Sequence, residues 1–216
     1  MGRMRVFVGV AVALLPASTT TFRSSEALAL RQAVPAACTI VGTMGNDDLV
    51  GNDGVDVICG LDGNDSVHGK AGDDFMFGGA GRDALHGGSG NDRIVGGPDE
   101  DRLLGRLGDD VLRGMLGRDI LFGGPGHDLL YGGREGDQGS GDGGSDKVLG
   151  GPGSDYLTDW TGNDLIKGGR GSDFCLATRD SSGGDTIIGG RGSDAYDADP
   201  GDRVRSAEVV DRFCVD

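Results

Sequence analysis

The chain has 216 residues, 45 of them glycine and only 5% aromatic, and its 35 acidic against 20 basic side chains leave a formal net charge of −15. Such a chain repels nucleic-acid phosphate and anionic lipid, and cations are its natural partners. Low hydrophobicity with high net charge is the composition of a disordered chain, unless an internal repeat lets short segments stack into a solenoid.

The first element is a basic "MGRMR" followed by the apolar run Val6–Leu15. Ten helical residues span about 15 Å, half of a bilayer core of about 30 Å. The pairing therefore reads as a secretory signal peptide, residues 1–29 with cleavage between 17 and 29, and predicts a secreted, extracellular protein. No later segment is apolar enough to span a membrane. Residues 30–41 read as an N-terminal cap and 198–216 as a C-terminal cap. Four cysteines fit an exported chain, with Cys38 and Cys59 near the start of the intervening region and Cys175 and Cys214 near its end. Of the three possible connectivities, Cys38–Cys59 with Cys175–Cys214 is favoured because each bridge pins an irregular end onto its neighbouring coil. Free buried thiols are the alternative, and with no CxxC spacing zinc is not expected.

Between the caps, residues 42–197 repeat a nine-residue phrase, typified by "GGAGRDALH" and "GGSGNDRIV". Fifteen units run without a gap from Gly42 to Leu176; Ala177–Arg179 is a three-residue insertion, and two more units end at Asp197. The sixth place is always aspartate: Asp47, Asp56, Asp65, Asp74, Asp83, Asp92, Asp101, Asp110, Asp119, Asp128, Asp137, Asp146, Asp155, Asp164, Asp173, Asp185 and Asp194. The eighth place is apolar in every unit except at Gly139.

Glycines at places one, two and four permit positive φ and close backbone approach, so the first six residues predict a tight turn. Places seven to nine alternate about one inward apolar residue, the pattern of a short strand. A strand of three residues needs copies of itself stacked about 4.8 Å away. Two units then complete one coil of a flattened all-β spiral, with a parallel sheet on each side and a row of aspartates along each edge. Stacked carboxylates repel one another unless a cation lies between them. Lysine and arginine have no matching period, whereas a hard divalent ion with oxygen ligands fits, and Ca2+ tolerates looser geometry than Mg2+.

The phrase GGxGxDxUx, with U apolar, resembles the calcium-binding nonapeptide of the RTX (haemolysin-type) family, over about Thr39 to Asp197. The resemblance implies a parallel β-roll in which multiple Ca2+ ions lie between neighbouring turns, held by the place-six aspartates and turn carbonyls. The chain departs from the pattern at Asp99, Glu135, Gly136, Gly139 and Asp159.

Catalytic signatures are missing. There is no HExxH and no GxSxG, the three histidines stand in separate repeats, and GxGxxG matches arise by chance in so glycine-rich a chain. "DADPGD" (Asp197–Asp202) reads as a degenerate last turn, and Trp160 as a loop side chain packed on a neighbouring turn. The expectation is therefore a calcium-binding protein without enzymatic activity, or alternatively a calcium-rigidified adhesin or surface-layer module. For the second reading, the outward face of the even-numbered units carries the more apolar side chains, with Phe75, Phe77, Leu129 and Tyr131 as candidates for a contact surface.

Overall fold

The structure is a computed structural model that describes residues 38–178, 184–198 and 200–205. The expected signal peptide, residues 30–37 of the expected N-terminal cap, and Cys214 lie outside the described residues. What is described belongs to the unit Ala37–Asp216.

Its strands, in chain order, begin with β1 (Ile40–Val41), β2 (Asp48–Val50), β3 (Val57–Asp62), β4 (Ser66–Ala71), β5 (Phe75–Ala80) and β6 (Ala84–Ser89). They continue with β7 (Arg93–Gly97), β8 (Arg102–Leu107), β9 (Val111–Leu116), β10 (Ile120–Pro125), β11 (Leu129–Arg134), β12 (Gln138–Gly143) and β13 (Lys147–Pro152). The last are β14 (Tyr156–Asp159), β15 (Leu165–Arg170), β16 (Phe174–Thr178), β17 (Thr186–Arg191), β18 (Tyr196–Asp197) and β19 (Arg203–Arg205). Odd-numbered strands make one ten-stranded sheet and even-numbered strands a nine-stranded one, so consecutive strands always lie in opposite sheets. Every pairing is parallel, and its usual register is eighteen residues, as in Val67↔Leu85 and Leu130↔Val148. This is the predicted β-roll, of about nine turns. Its ten-stranded sheet also takes in β1 and β19, beyond the repeats at either end.

The turns divide the glycines into two kinds. Places two and four hold left-handed backbone, at Gly79 (φ 117°) and Gly81 (φ 119°) for example, and Lys70 (φ 86°) and Glu135 (φ 74°) adopt it without being glycine. Place one does not need positive φ; it needs the absence of a side chain, for the reason given below.

Place eight supplies the core. Ile58, Val67, Met76, Leu85, Ile94, Leu103, Leu112, Leu121, Leu130, Val148, Leu157, Ile166 and Ile187 are all buried in one cluster between the sheets. Two units break the rule: Gly139 brings no side chain to the core, and the unit of Cys175 is displaced. Cys175 stands at place eight, but it has φ 55°, and Leu176 enters the core in its place and pairs with Tyr196. The register slips there by one residue, to Thr158↔Ala177, a bulge that takes up one of the three extra residues of this unit.

Cys38 and Cys59 form the expected disulfide. Cys175 is also disulfide-bonded, while its expected partner Cys214 lies outside the described residues. On the outward face of the ten-stranded sheet, Arg93 lies over the Phe75 ring and Arg113 over Tyr131, at 5.1 and 5.3 Å from the ring centroids. Phe75, Phe77, Leu129 and Tyr131 are each half-buried. Trp160 is about half exposed, at 49%.

Candidate metal centre

Each edge of the roll carries a ladder of place-six aspartates. On one edge the N–H of Asp47 donates to Asp65 Oδ1 at 2.9 Å, that of Asp65 to Asp83 Oδ1 at 2.8 Å, and so on to Asp194. The other edge runs in the same way from Asp56 and Asp74 to Asp164 and Asp185. The two units that complete a coil thus bring the seventeen predicted aspartates into two separate rows. Asp202 extends the second row, its Oδ1 accepting from the N–H of Asp185 at 3.3 Å. The degenerate unit around Glu135 does not interrupt the first: the Asp119 N–H reaches Asp137 Oδ1 and the Asp137 N–H reaches Asp155 Oδ1, both at 2.9 Å.

The second carboxylate oxygen is treated differently. Oδ2 is buried without a hydrogen-bond partner at every place-six aspartate from Asp65 through Asp155, and at Asp173 and Asp194. Buried polar atoms are ordinarily satisfied. A row of orphaned acceptors along each edge therefore indicates a ligand that accepts nothing and attracts oxygen. The first coil is the exception. There the backbone N–H of Thr43 donates to Asp47 Oδ2 at 2.6 Å and that of Asn52 to Asp56 Oδ2 at 2.7 Å, so main-chain amides at place two close the end of each row, joined at Asp47 by the Thr43 hydroxyl at 2.9 Å.

The place-one glycines make room beside these oxygens. A methyl group on Gly60 would collide with Asp65 Oδ2 and with the Gly78 carbonyl of the next coil; on Gly105 it would meet Asp110 Oδ2 and the Gly123 carbonyl. Each such space is thus walled by a carboxylate oxygen and a backbone carbonyl oxygen. All are hard donors, the set that suits Ca2+ and not a soft metal. Of the three histidines, His127 accepts the Ser145 N–H at 2.8 Å and His68 packs against His86 on a sheet face, so neither arrangement adds to the oxygen set.

The electrostatics agree. Burial pushes the Asp92 carboxyl up to about 7 and those of Asp101, Asp110 and Asp137 up to about 8; the N–H of the preceding coil opposes this, and neighbouring ladder carboxylates add to it. Asp83 and Asp155 are raised to about 6 by the same burial. A protonated row or a cation-bound row satisfies this arrangement, and a bare anionic one does not.

Two features escaped the sequence reading. Place five carries a second ladder of opposite sense: the Asn64 N–H donates to Asn46 Oδ1, Asn91 to Asp73 and His127 to Asp109, at 2.8 to 2.9 Å. The signal was a recurrence of short polar acceptors there, spread over Asn, Asp, Ser and His. The other is Asp159, a place-one aspartate that lies fully buried beside Asp146 and Asp164.

No curated protein matches the chain. The family model of the RTX calcium-binding nonapeptide repeat matches residues 41–76, 68–103, 77–112, 104–138, 140–175 and 179–204. With matches over most of its length, and with that repeat's aspartates and glycines lining both edges of a parallel roll, the chain belongs to the RTX calcium-binding nonapeptide-repeat family.

Proposed function

We propose that this is a secreted, non-enzymatic calcium-binding protein whose repeats fold into the roll on taking up Ca2+. The observation that carries the reading is the row of buried Oδ2 atoms without partners, facing spaces that only glycine leaves open. The ions would be held by the place-six aspartates, from Asp47 to Asp194, together with place-one carbonyls. Bound there, Ca2+ supplies positive charge and coordination that offset carboxylate desolvation and mutual repulsion. The chain does the rest: Oδ1 locks successive coils together, and the buried place-eight row holds the sheets face to face.

Secretion is supported by the N-terminal basic and apolar segments and by the Cys38–Cys59 bridge, a feature at home in oxidising compartments. The adhesin or surface-layer reading shares the same calcium-dependent core. The arginines stacked over Phe75 and Tyr131 leave its proposed contact face less apolar than the sequence implied.

Circular dichroism of the purified protein tests the central claim. In chelator the chain should be largely unordered, and millimolar Ca2+ should bring a large gain of β-structure. Equal β-content in both conditions would refute it.

A further inference from the structure

Among the described residues, Asp159 is the one place-one position that is not glycine. The pairing of β12 with β14 (Ser140↔Thr158) sets it across from Gly141 in the preceding coil. The space at Gly123 is walled by Asp128 Oδ2 and the Gly141 carbonyl. At Gly141 two carboxylate oxygens enter instead, Asp159 Oδ2 and Asp146 Oδ2. Asp164, the next place-six residue on that edge, completes the group: one oxygen from each of the three lies within 4.8 Å of the others.

These side chains are buried, at 1% exposure for Asp146, 0% for Asp159 and 4% for Asp164. Their other oxygens are engaged. Asp159 Oδ1 accepts the Trp160 N–H at 3.0 Å, Asp146 Oδ1 that of Asp128 at 2.7 Å, and Asp164 Oδ1 that of Asp146 at 2.9 Å. Asp146 Oδ2 and Asp159 Oδ2 are left buried, without hydrogen-bond partners and aimed at one point. Two such oxygens in a space closed to water call for a cation between them.

We propose that Asp146, Asp159 and Asp164 form a three-carboxylate site for a hard divalent cation, Ca2+, that binds more tightly than the other gaps along the roll. The proposal rests on the calcium reading above and adds to it a site that the repeat pattern does not contain. Calcium affinity rises with the number of charged ligands, and Asp159 adds one where the repeat has none.

Trp160 gives the site its own reporter, being the chain's single tryptophan and bonded to Asp159. Tb3+, a luminescent calcium substitute, would be titrated into the full chain and into Asp159→Gly, which restores the repeat's usual residue. Asp159→Asn, which keeps the shape but removes the charge, serves as a second variant. In the wild type, tryptophan-sensitised emission should saturate at least about tenfold below the metal concentration that brings in bulk β-structure, and Ca2+ should displace it. Both variants should lose the early emission while keeping the later gain of β-structure. Early emission retained in both variants, or wild-type emission that rises only with the β-structure, would overturn the site and leave the calcium reading intact. If neither metal brings β-structure to the wild type, both fall together.

Discussion

A single carboxylate in this roll serves two masters, one oxygen bound to the neighbouring coil and the other turned to the space beside a glycine. Asp110 illustrates the separation: its Oδ1 accepts the Asp92 N–H at 2.7 Å, while its Oδ2 is buried without a partner. Asp110→Asn keeps an oxygen for the Asp92 amide but removes the charge and one metal ligand. Without metal it should raise β-content, because a desolvated negative charge is gone. With metal it should raise the calcium midpoint, because a ligand is gone. Asp110→Ala strands the Asp92 N–H as well, a loss of about 1–3 kcal/mol, and should lower stability in either condition. Dichroism-followed calcium titrations of the two variants beside wild type separate the roles. Parallel shifts in both variants would mean that the oxygens do not divide their work.

At the scale of the rung, the one glycine in the inward row tests how the core is packed. Gly139 faces a core that has closed over it: a Cβ there would stand 3.0 Å from Val148 Cγ1 and 3.2 Å from Leu157 Cδ2. Gly139→Leu restores the repeat's usual apolar residue yet should destabilise the calcium-loaded roll by about 1–3 kcal/mol through overpacking. A thermal melt in excess Ca2+ would show a lowered Tm; a raised Tm would mean that the site is a cavity and not a collapsed wall. The rung was legible in the sequence wherever one residue type does one job. The eighth-place residues and the sixth-place aspartates announce the core and the edges, because burial and carboxylate chemistry each admit few substitutes. Place five was not legible, since any short acceptor satisfies its hydrogen bond and no single residue type holds the position throughout. Cys175 misled for another reason: one extra residue is taken up ahead of Leu176, so the backbone bulge and not the nine-residue count decides which side chain points in. Asp159 read as a flaw in the repeat, because only the pairing with the coil before it brings Asp146 alongside.

For the whole molecule, protons and calcium ions compete for the same two rows, and the sign of that competition follows from the raised carboxyls. Their ordinary value is near 3.8, and in the roll burial lifts Asp83 to about 6, Asp92 to about 7 and Asp110 to about 8. Between those limits the folded chain holds protons that the unfolded chain releases, so the stability of the metal-free roll falls as pH rises. That contribution is fully present below about pH 4 and is lost through the interval from about 6 to 8, as each carboxyl ionises in a space closed to water. Calcium reverses the dependence, because it binds the ionised form and must displace those protons at lower pH. In chelator, β-structure at pH 5 should therefore exceed that at pH 8. The calcium midpoint should meanwhile move to higher concentration as pH falls from 8 to 5, with protons released to solution on binding. Dichroism at the two pH values, with and without Ca2+, reads both trends in one set of samples. A metal-free chain more ordered at pH 8 than at pH 5 would contradict the burial of these carboxylates. A calcium midpoint indifferent to pH would mean that the ions bind somewhere other than the aspartate rows.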